Sequence, residues 1–130
     1  MCSIFSKIID GIIPCYKIAE NDYFLAFLDI QPLVEGHTLV IPKKEIDYVF
    51  DLDDTTLKEM MIFTKVVAKK LRAAIPCNRI GISVIGLEIP HAHIHLVPIN
   101  AIDDMNFSKQ KLECSHEEMM MIQQRIVEQA

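Results

Sequence analysis

The 130-residue chain has no tryptophan, only four glycines and no tract of biased composition, which excludes fibrous, linker-like and repeat architectures. It lacks a basic excess: 13 Lys and Arg stand against 18 Asp and Glu, a net charge of −5. Sequence-independent binding to a nucleic-acid polymer requires phosphate neutralisation, so such a partner is not expected, although a small local anion pocket is compatible with this charge. No apolar run approaches the ~20 residues of a membrane span, so no membrane partner is expected. The first residues, Met1-Cys2-Ser3-Ile4-Phe5-Ser6-Lys7, lack the apolar core of a signal peptide, and the expected location is the cytoplasm. Cys2, Cys15, Cys77 and Cys114 never fall into Cys-x-x-Cys spacing, which argues against a zinc knuckle or a thioredoxin-like pair. Reduced thiols are the expectation, because a chain of this size builds its own core without a disulfide framework.

What is present is hydrophobicity in organised blocks. Half of the residues are hydrophobic, enough for one compact domain spanning 1–130, with 101–130 as a C-terminal arm and helix. Ser3 to Ile8 reads as a short helix ended by Asp10-Gly11, followed by a brief strand from Tyr16 to Ala19. Tyr23 to Ile30 and Thr38 to Ile41 read as strands that pair antiparallel, separated by the Gln31-Pro32 break. Asp53 or Asp54 caps a long helix from about Thr55 to Ala74, with Leu57, Met60, Met61, Val67 and Leu71 at helical spacing. Arg79 to Ile85 and His91 to Ile99 read as a sequential antiparallel pair joined by a tight connection around Gly86 to Pro90. Ser115-His116-Glu117-Glu118 is a capping box opening a helix to about Glu128. The expected fold class is α+β: an antiparallel sheet of about five strands, one long helix, and shorter N- and C-terminal helices. Ala101 to Cys114, polar and poorly periodic, reads as a surface loop or an arm against a neighbouring subunit.

The chemistry concentrates in His91-Ala92-His93-Ile94-His95. Alternation of His with small or apolar residues is a strand pattern that places three imidazoles on one face, where neighbouring rings can share one anion. A fourth imidazole, His37, opens a second strand-like run, Gly36-His37-Thr38-Leu39-Val40-Ile41-Pro42; His116 stands apart. Such a group of imidazoles can hold a metal, bind an anion, or perform nucleophilic and acid–base catalysis near neutral pH. Zinc can take His-x-His plus a third ligand and an open water position, as in a metal-dependent hydrolase. Against zinc, no acidic residue lies among the alternating positions from His91 to Val97 to orient the ligands, and only Glu88 is close in sequence.

With its ordered elements Ile4-Phe5-x-Lys7-Ile8, Phe27-x-Asp29-Ile30-x-Pro32, Gly36-His37-x-Leu39-Val40-Ile41-Pro42-Lys43 and His91-Ala92-His93-Ile94-His95-Leu96-Val97, the stretch from Ser3 to Ile99 resembles the histidine triad family of nucleotide hydrolases and transferases. It is most similar to the small bacterial branch related to purine nucleoside phosphoramidases. The resemblance implies a metal-independent, cofactor-free hydrolase acting on a purine nucleoside 5′-phosphoramidate or related nucleotide through a covalent nucleotidyl-histidine, and a homodimer. His93 would be the nucleophile, His95 and His37 would hold the phosphate with His95 as the assisting acid, and His91 would orient its neighbours. Asp29 would accept hydrogen bonds from the ribose hydroxyls, and Phe5, Ile8, Ile13, Phe27 and Ile30 would form an apolar slot for the base. Backbone amides near Gly86 would approach a phosphate oxygen.

The chain departs from the family pattern in two places. The segment Ser83-Val84-Ile85-Gly86-Leu87-Glu88 is shortened, with Leu87 where Gln is common and Glu88 where some members carry a phosphate-reaching Ser; a carboxylate there repels phosphate unless protonated or turned away. That substitution motivates a second reading, a nucleotide-binding or interaction protein with weak catalysis. Where some bacterial members bind structural zinc through two Cys, a His and the first triad His, this chain carries Ser3, Ser6, Glu45 and His91. Structural zinc is therefore not expected.

Overall fold

A computed structural model describes residues 3–129. Five strands, β1 (Lys17–Glu20), β2 (Phe24–Leu28), β3 (Thr38–Pro42), β4 (Arg79–Ser83) and β5 (Ile94–Ile99), form one antiparallel sheet in the order β1-β2-β3-β5-β4. Three α-helices, α1 (Ile4–Ile9), α2 (Asp54–Ala74) and α3 (His116–Val127), complete the α+β fold expected from the sequence.

Strand alternation divides the core. Phe24, Ala26 and Leu28 of β2, Val40 of β3, and Ile94 and Leu96 of β5 face a large cluster shared with α2 and α3. Leu25, Phe27, Leu39 and Ile41 point to the opposite face, which Phe5 of α1 covers. Helix α2 starts where Asp53 accepts the Thr56 N–H at 2.7 Å and buries Met60, Thr64, Val67 and Leu71, a single stripe at helical spacing. Full burial of a side chain such as Leu71 contributes about 1.5–3 kcal/mol. Met61, which the periodicity placed in the same stripe, lies beside it and is exposed. Helix α3 opens with the expected capping box, Ser115 and Glu118 exchanging bonds at 3.0 and 3.1 Å, and packs Met119, Ile122 and Ile126 on the larger cluster.

The connection before β5 differs from expectation. Instead of a tight hairpin, residues 84–93 form a ten-residue excursion without strand pairing, so His91 and His93 precede β5 and only His95 is a strand residue. The cause is competition for backbone groups: the His91 N–H bonds the Ile89 carbonyl and the Ala92 N–H bonds Ile46, which removes both from the ladder with β4.

Candidate active site

The site is assembled on the α1 face of the sheet. The turn from β2 to β3 brings its two ends together, the Asp29 N–H donating to the His37 carbonyl at 3.0 Å, so that Asp29 and His37 become neighbours. Gly36 makes this possible: its φ is +91°, and an added Cβ would lie 3.0 Å from Ile75 Cγ1. His37 then sits beside β5, where Leu39 pairs with His95. All four imidazoles, His37, His91, His93 and His95, are buried.

Backbone partners determine how protons are distributed over the rings. The His93 Nδ1 lies 2.8 Å from the His91 carbonyl, which can only accept, so Nδ1 carries the hydrogen and the Nε2 lone pair remains for chemistry. Leu33 donates its N–H to His37 Nδ1 at 3.0 Å, so a neutral His37 carries its hydrogen on Nε2. That hydrogen points to His95 Nδ1 at 3.0 Å, which leaves His95 as the Nε2–H tautomer, a donor. The His93 and His95 ring centroids are 4.9 Å apart. A nucleophilic nitrogen and a hydrogen-bond donor therefore stand side by side.

Burial favours the neutral rings. It pushes His37 from 6.5 down to about 3, aided by His95, Lys111 and His93, and pushes His95 down to about 4. His91 is lowered as well, again chiefly by burial. Asp29 moves in the opposite sense: burial raises its carboxyl above the ordinary value, against a bond from the Gln31 N–H.

The remaining expected site residues are distributed unevenly. Phe5 and Phe27 are buried edge to face, their centroids 5.5 Å apart, and Ile8 packs on the same cluster. Phe5 also meets His93 edge to face at 5.1 Å. Ile13 is half-buried outside that cluster, and Ile30 is 72% exposed. Gly86 adopts a φ of +73° with open space around its missing Cβ, and Glu88 is exposed on the same excursion, near enough to act on the Asp29 carboxyl. His116 lies elsewhere, bonded to Tyr16.

Two features escaped sequence reasoning. The segment read as a loop or arm returns across the site: Leu112 donates its N–H to the Pro32 carbonyl at 2.9 Å, and the Phe107 ring meets His95 at 4.8 Å and His37 at 6.1 Å. The Lys111 ammonium donates to the Phe107 carbonyl at 2.6 Å, holding the segment in place. The available signal was a lone aromatic in an otherwise polar stretch. The second feature is that Ser3, Ser6, Glu45 and His91, noted only as departures, form one hydrogen-bonded cluster.

Neither group of potential ligands fits a resident metal. Asp29, His37 and His95 offer ligand atoms within 4.8 Å of one another, but His37 and His95 already satisfy each other and Leu33 occupies the other His37 nitrogen. At the second cluster a single imidazole faces hydroxyl and carboxylate oxygens that are bonded to one another, unlike the thiolate- and imidazole-rich sets that hold structural zinc.

Fold and site together define a cluster of four buried imidazoles on an antiparallel sheet, and the comparisons with known proteins agree with that class. The HIT domain pattern matches residues 10–102, and the chain belongs to the HIT domain family. It is 35% identical over 113 residues to an uncharacterized HIT-like protein of Borreliella burgdorferi, covering 82% of this chain and 81% of that protein. It is 37% identical over 102 residues to the adenosine 5′-monophosphoramidase hnt1 of Schizosaccharomyces pombe, covering 75% and 74%. Among solved structures, a Hit-like protein from Bartonella henselae superposes with a TM-score of 0.82 at 28% identity, covering 96% of this chain and 94% of the other.

Proposed function

We propose that this protein hydrolyses a purine nucleoside 5′-phosphoramidate or a related nucleotidyl bond through His93. The observation that carries the reading is the 2.8 Å bond from His93 Nδ1–H to the His91 carbonyl, which leaves Nε2 as the nucleophilic nitrogen beside the His95 donor. The similarity to the fission yeast adenosine 5′-monophosphoramidase supports the substrate class.

In the first step His93 Nε2 attacks the α-phosphorus, an N–P bond forms, and the bond to the departing amine breaks. The amine must leave with a proton. His95 is the assigned donor, loaded in the complex, where a bound phosphoryl anion favours the imidazolium that burial disfavours in the free protein; its new Nδ1–H then donates to His37 Nε2, and the His37 hydrogen moves to Nδ1, releasing the Leu33 N–H. Water then attacks the nucleotidyl-histidine, returns a proton to His95 and releases the nucleoside monophosphate, with His93 restored. His37 anchors His95 and thereby the phosphate, Asp29 takes the ribose hydroxyls, and Phe5, Phe27 and Ile8 form the floor against which the base rests, with Ile13 and Ile30 at its margin. No metal or cofactor has a step in this scheme.

A homodimer is part of the proposal. Strand β4 is a sheet edge that presents Ile82, and the adjoining Val84 and Ile85 are exposed together with Ile62 and Val66 of α2. Among the described residues, no helix is long and apolar enough to cross a membrane. The free thiols of Cys15, Cys77 and Cys114 suit a reducing compartment such as the cytoplasm; Cys2 lies outside the described residues.

The test is turnover of adenosine 5′-phosphoramidate, with acid-labile adducts examined by mass spectrometry. An adenylyl adduct and AMP from the wild-type protein, both lost in His93→Ala with the circular dichroism spectrum retained, are expected. Equal turnover by the variant removes His93 as nucleophile. Tight AMP binding without turnover of phosphoramidates, acyl adenylates or dinucleoside polyphosphates would instead favour the binding-only reading, for which the charge of Glu88 beside the site is the structural argument.

A further inference from the structure

The first triad histidine is clamped from both sides by groups that play no part in the scheme above. His91 is fully buried, and its Nε2 lies 2.7 Å from the Pro42 carbonyl at the end of β3. A carbonyl only accepts, so Nε2 carries the hydrogen and Nδ1 must accept. Its partner is the Ser3 hydroxyl at 2.9 Å, itself almost fully buried. Ser3 is held in turn by Glu45: the Ser3 N–H donates to Glu45 Oε1 at 2.5 Å, and the Ser6 hydroxyl donates to the same oxygen at 2.7 Å. Those bonds keep the Glu45 carboxyl ionised down to about 2, the Ser3 N–H being the largest cause. On its far side, His91 offers the carbonyl that holds His93 Nδ1–H.

We infer that Ser3 and Glu45 are positioning residues for His93, acting through His91 in a chain that runs Glu45, Ser3, His91 ring, His91 carbonyl, His93. The oxygen-rich, mutually satisfied groups of the cluster tether the His91 ring by hydrogen bonding. The physical requirement is geometric. The His91 carbonyl can hold His93 in the Nδ1–H tautomer only if residue 91 neither rotates nor shifts, and the ring is the handle by which α1 and the end of β3 grip it. The Ser3 hydroxyl donates to a ring that cannot change tautomer without losing the Pro42 bond. Glu45 fixes the serine backbone and so the direction of that hydroxyl. Because a reacting nitrogen displaced by about 1 Å loses on the order of a hundredfold in rate, this chain sets turnover while leaving nucleotide contacts in place.

The inference rests on His93 being the nucleophile, and its test separates the two claims. Kinetics with adenosine 5′-phosphoramidate on Ser3→Ala, Ser3→Thr and Glu45→Ala are combined with ¹⁵N NMR of the histidine rings. Expected are a fall in kcat of about tenfold to a hundredfold in Ser3→Ala with KM within about threefold of wild type, recovery in Ser3→Thr, and an intermediate loss in Glu45→Ala. The wild-type spectrum should show His91 as Nε2–H and His93 as Nδ1–H, with the His93 preference weakened in Ser3→Ala. Wild-type kcat and an unchanged His93 tautomer in a folded Ser3→Ala protein overturn the inference. Should Ser3→Ala fail to fold, the same criterion applies to Glu45→Ala, whose side chain is exposed. A wild-type protein that shows the expected tautomers, altered in the variants, but no turnover sinks the hydrolase reading and leaves the clamp standing.

Discussion

Acidification from pH 7 to pH 5 should remove about 4 kcal/mol of unfolding free energy through His37 and His95 alone. In the unfolded chain each imidazole takes up a proton near 6.5, whereas in the folded protein burial and neighbouring groups keep His37 neutral to about 3 and His95 to about 4. Between those values the unfolded state holds more protons, so stability is complete above 6.5 and falls as the pH drops towards 4 and then 3. At pH 5 each ring is ~1.5 units below its unfolded midpoint and still neutral when folded, which at 1.36 kcal/mol per unit is about 2 kcal/mol each. His91, lowered by burial, acts in the same direction; Asp29, raised by burial, binds its proton more readily when folded and offsets part of the loss. Urea denaturation followed by the far-ultraviolet signal of α2 and α3 measures this directly, since the chain has no tryptophan. With a slope of about 2 kcal/mol/M, the midpoint should fall by about 2 M between pH 7 and pH 5. A His37→Gln, His95→Gln protein, whose amides can still bond each other and Leu33, should lose about 4 kcal/mol less over the same interval. Equal pH dependence in the two proteins would refute the assignment of the buried pair as neutral.

Two further outcomes follow from the tertiary arrangement. Phe107→Ala opens the His37–His95 pair to water, and the His95 titration midpoint followed by NMR should rise from about 4 towards 6.5, with Phe107→Leu closer to wild type; an unmoved midpoint would show that Phe107 does not shield the pair. The proposed dimer predicts sedimentation at twice the 14.9 kDa chain mass for wild type and at the single-chain mass for Ile82→Lys on the exposed β4 edge; a monomeric wild-type protein would remove that part of the proposal.

Much of this molecule was readable from local pattern because the signals are local. Asp53 and the Ser115-to-Glu118 box announce helix starts through side chains that bond backbone three residues on. Tyr23 to Ile30 and Thr38 to Ile41 announce strands by apolar content, and the observed strands run Phe24–Leu28 and Thr38–Pro42. The four imidazoles likewise announced a site, and the family pattern placed His37 with the triad. The tight hairpin before β5 failed because the Ala92 N–H is drawn to Ile46, a partner forty-six residues away in the chain that no turn propensity encodes.

What the linear pattern could not contain was the protonation geometry and the closure of the site. Which nitrogen of each ring carries hydrogen depends on carbonyls and amides contributed by His91, Pro42 and Leu33, and those meet the rings only after β3 and β5 pair. Phe107 meets His95 because the chain beyond β5 turns back to bond Pro32, and Ser3 reaches His91 across eighty-eight residues because α1 caps the same sheet face. The sequence specifies which chemical groups are available and the periodicity that buries them; their distances, desolvation and proton positions are properties of long-range packing, and these set which ring nitrogens of His37, His91, His93 and His95 are left as donors or acceptors.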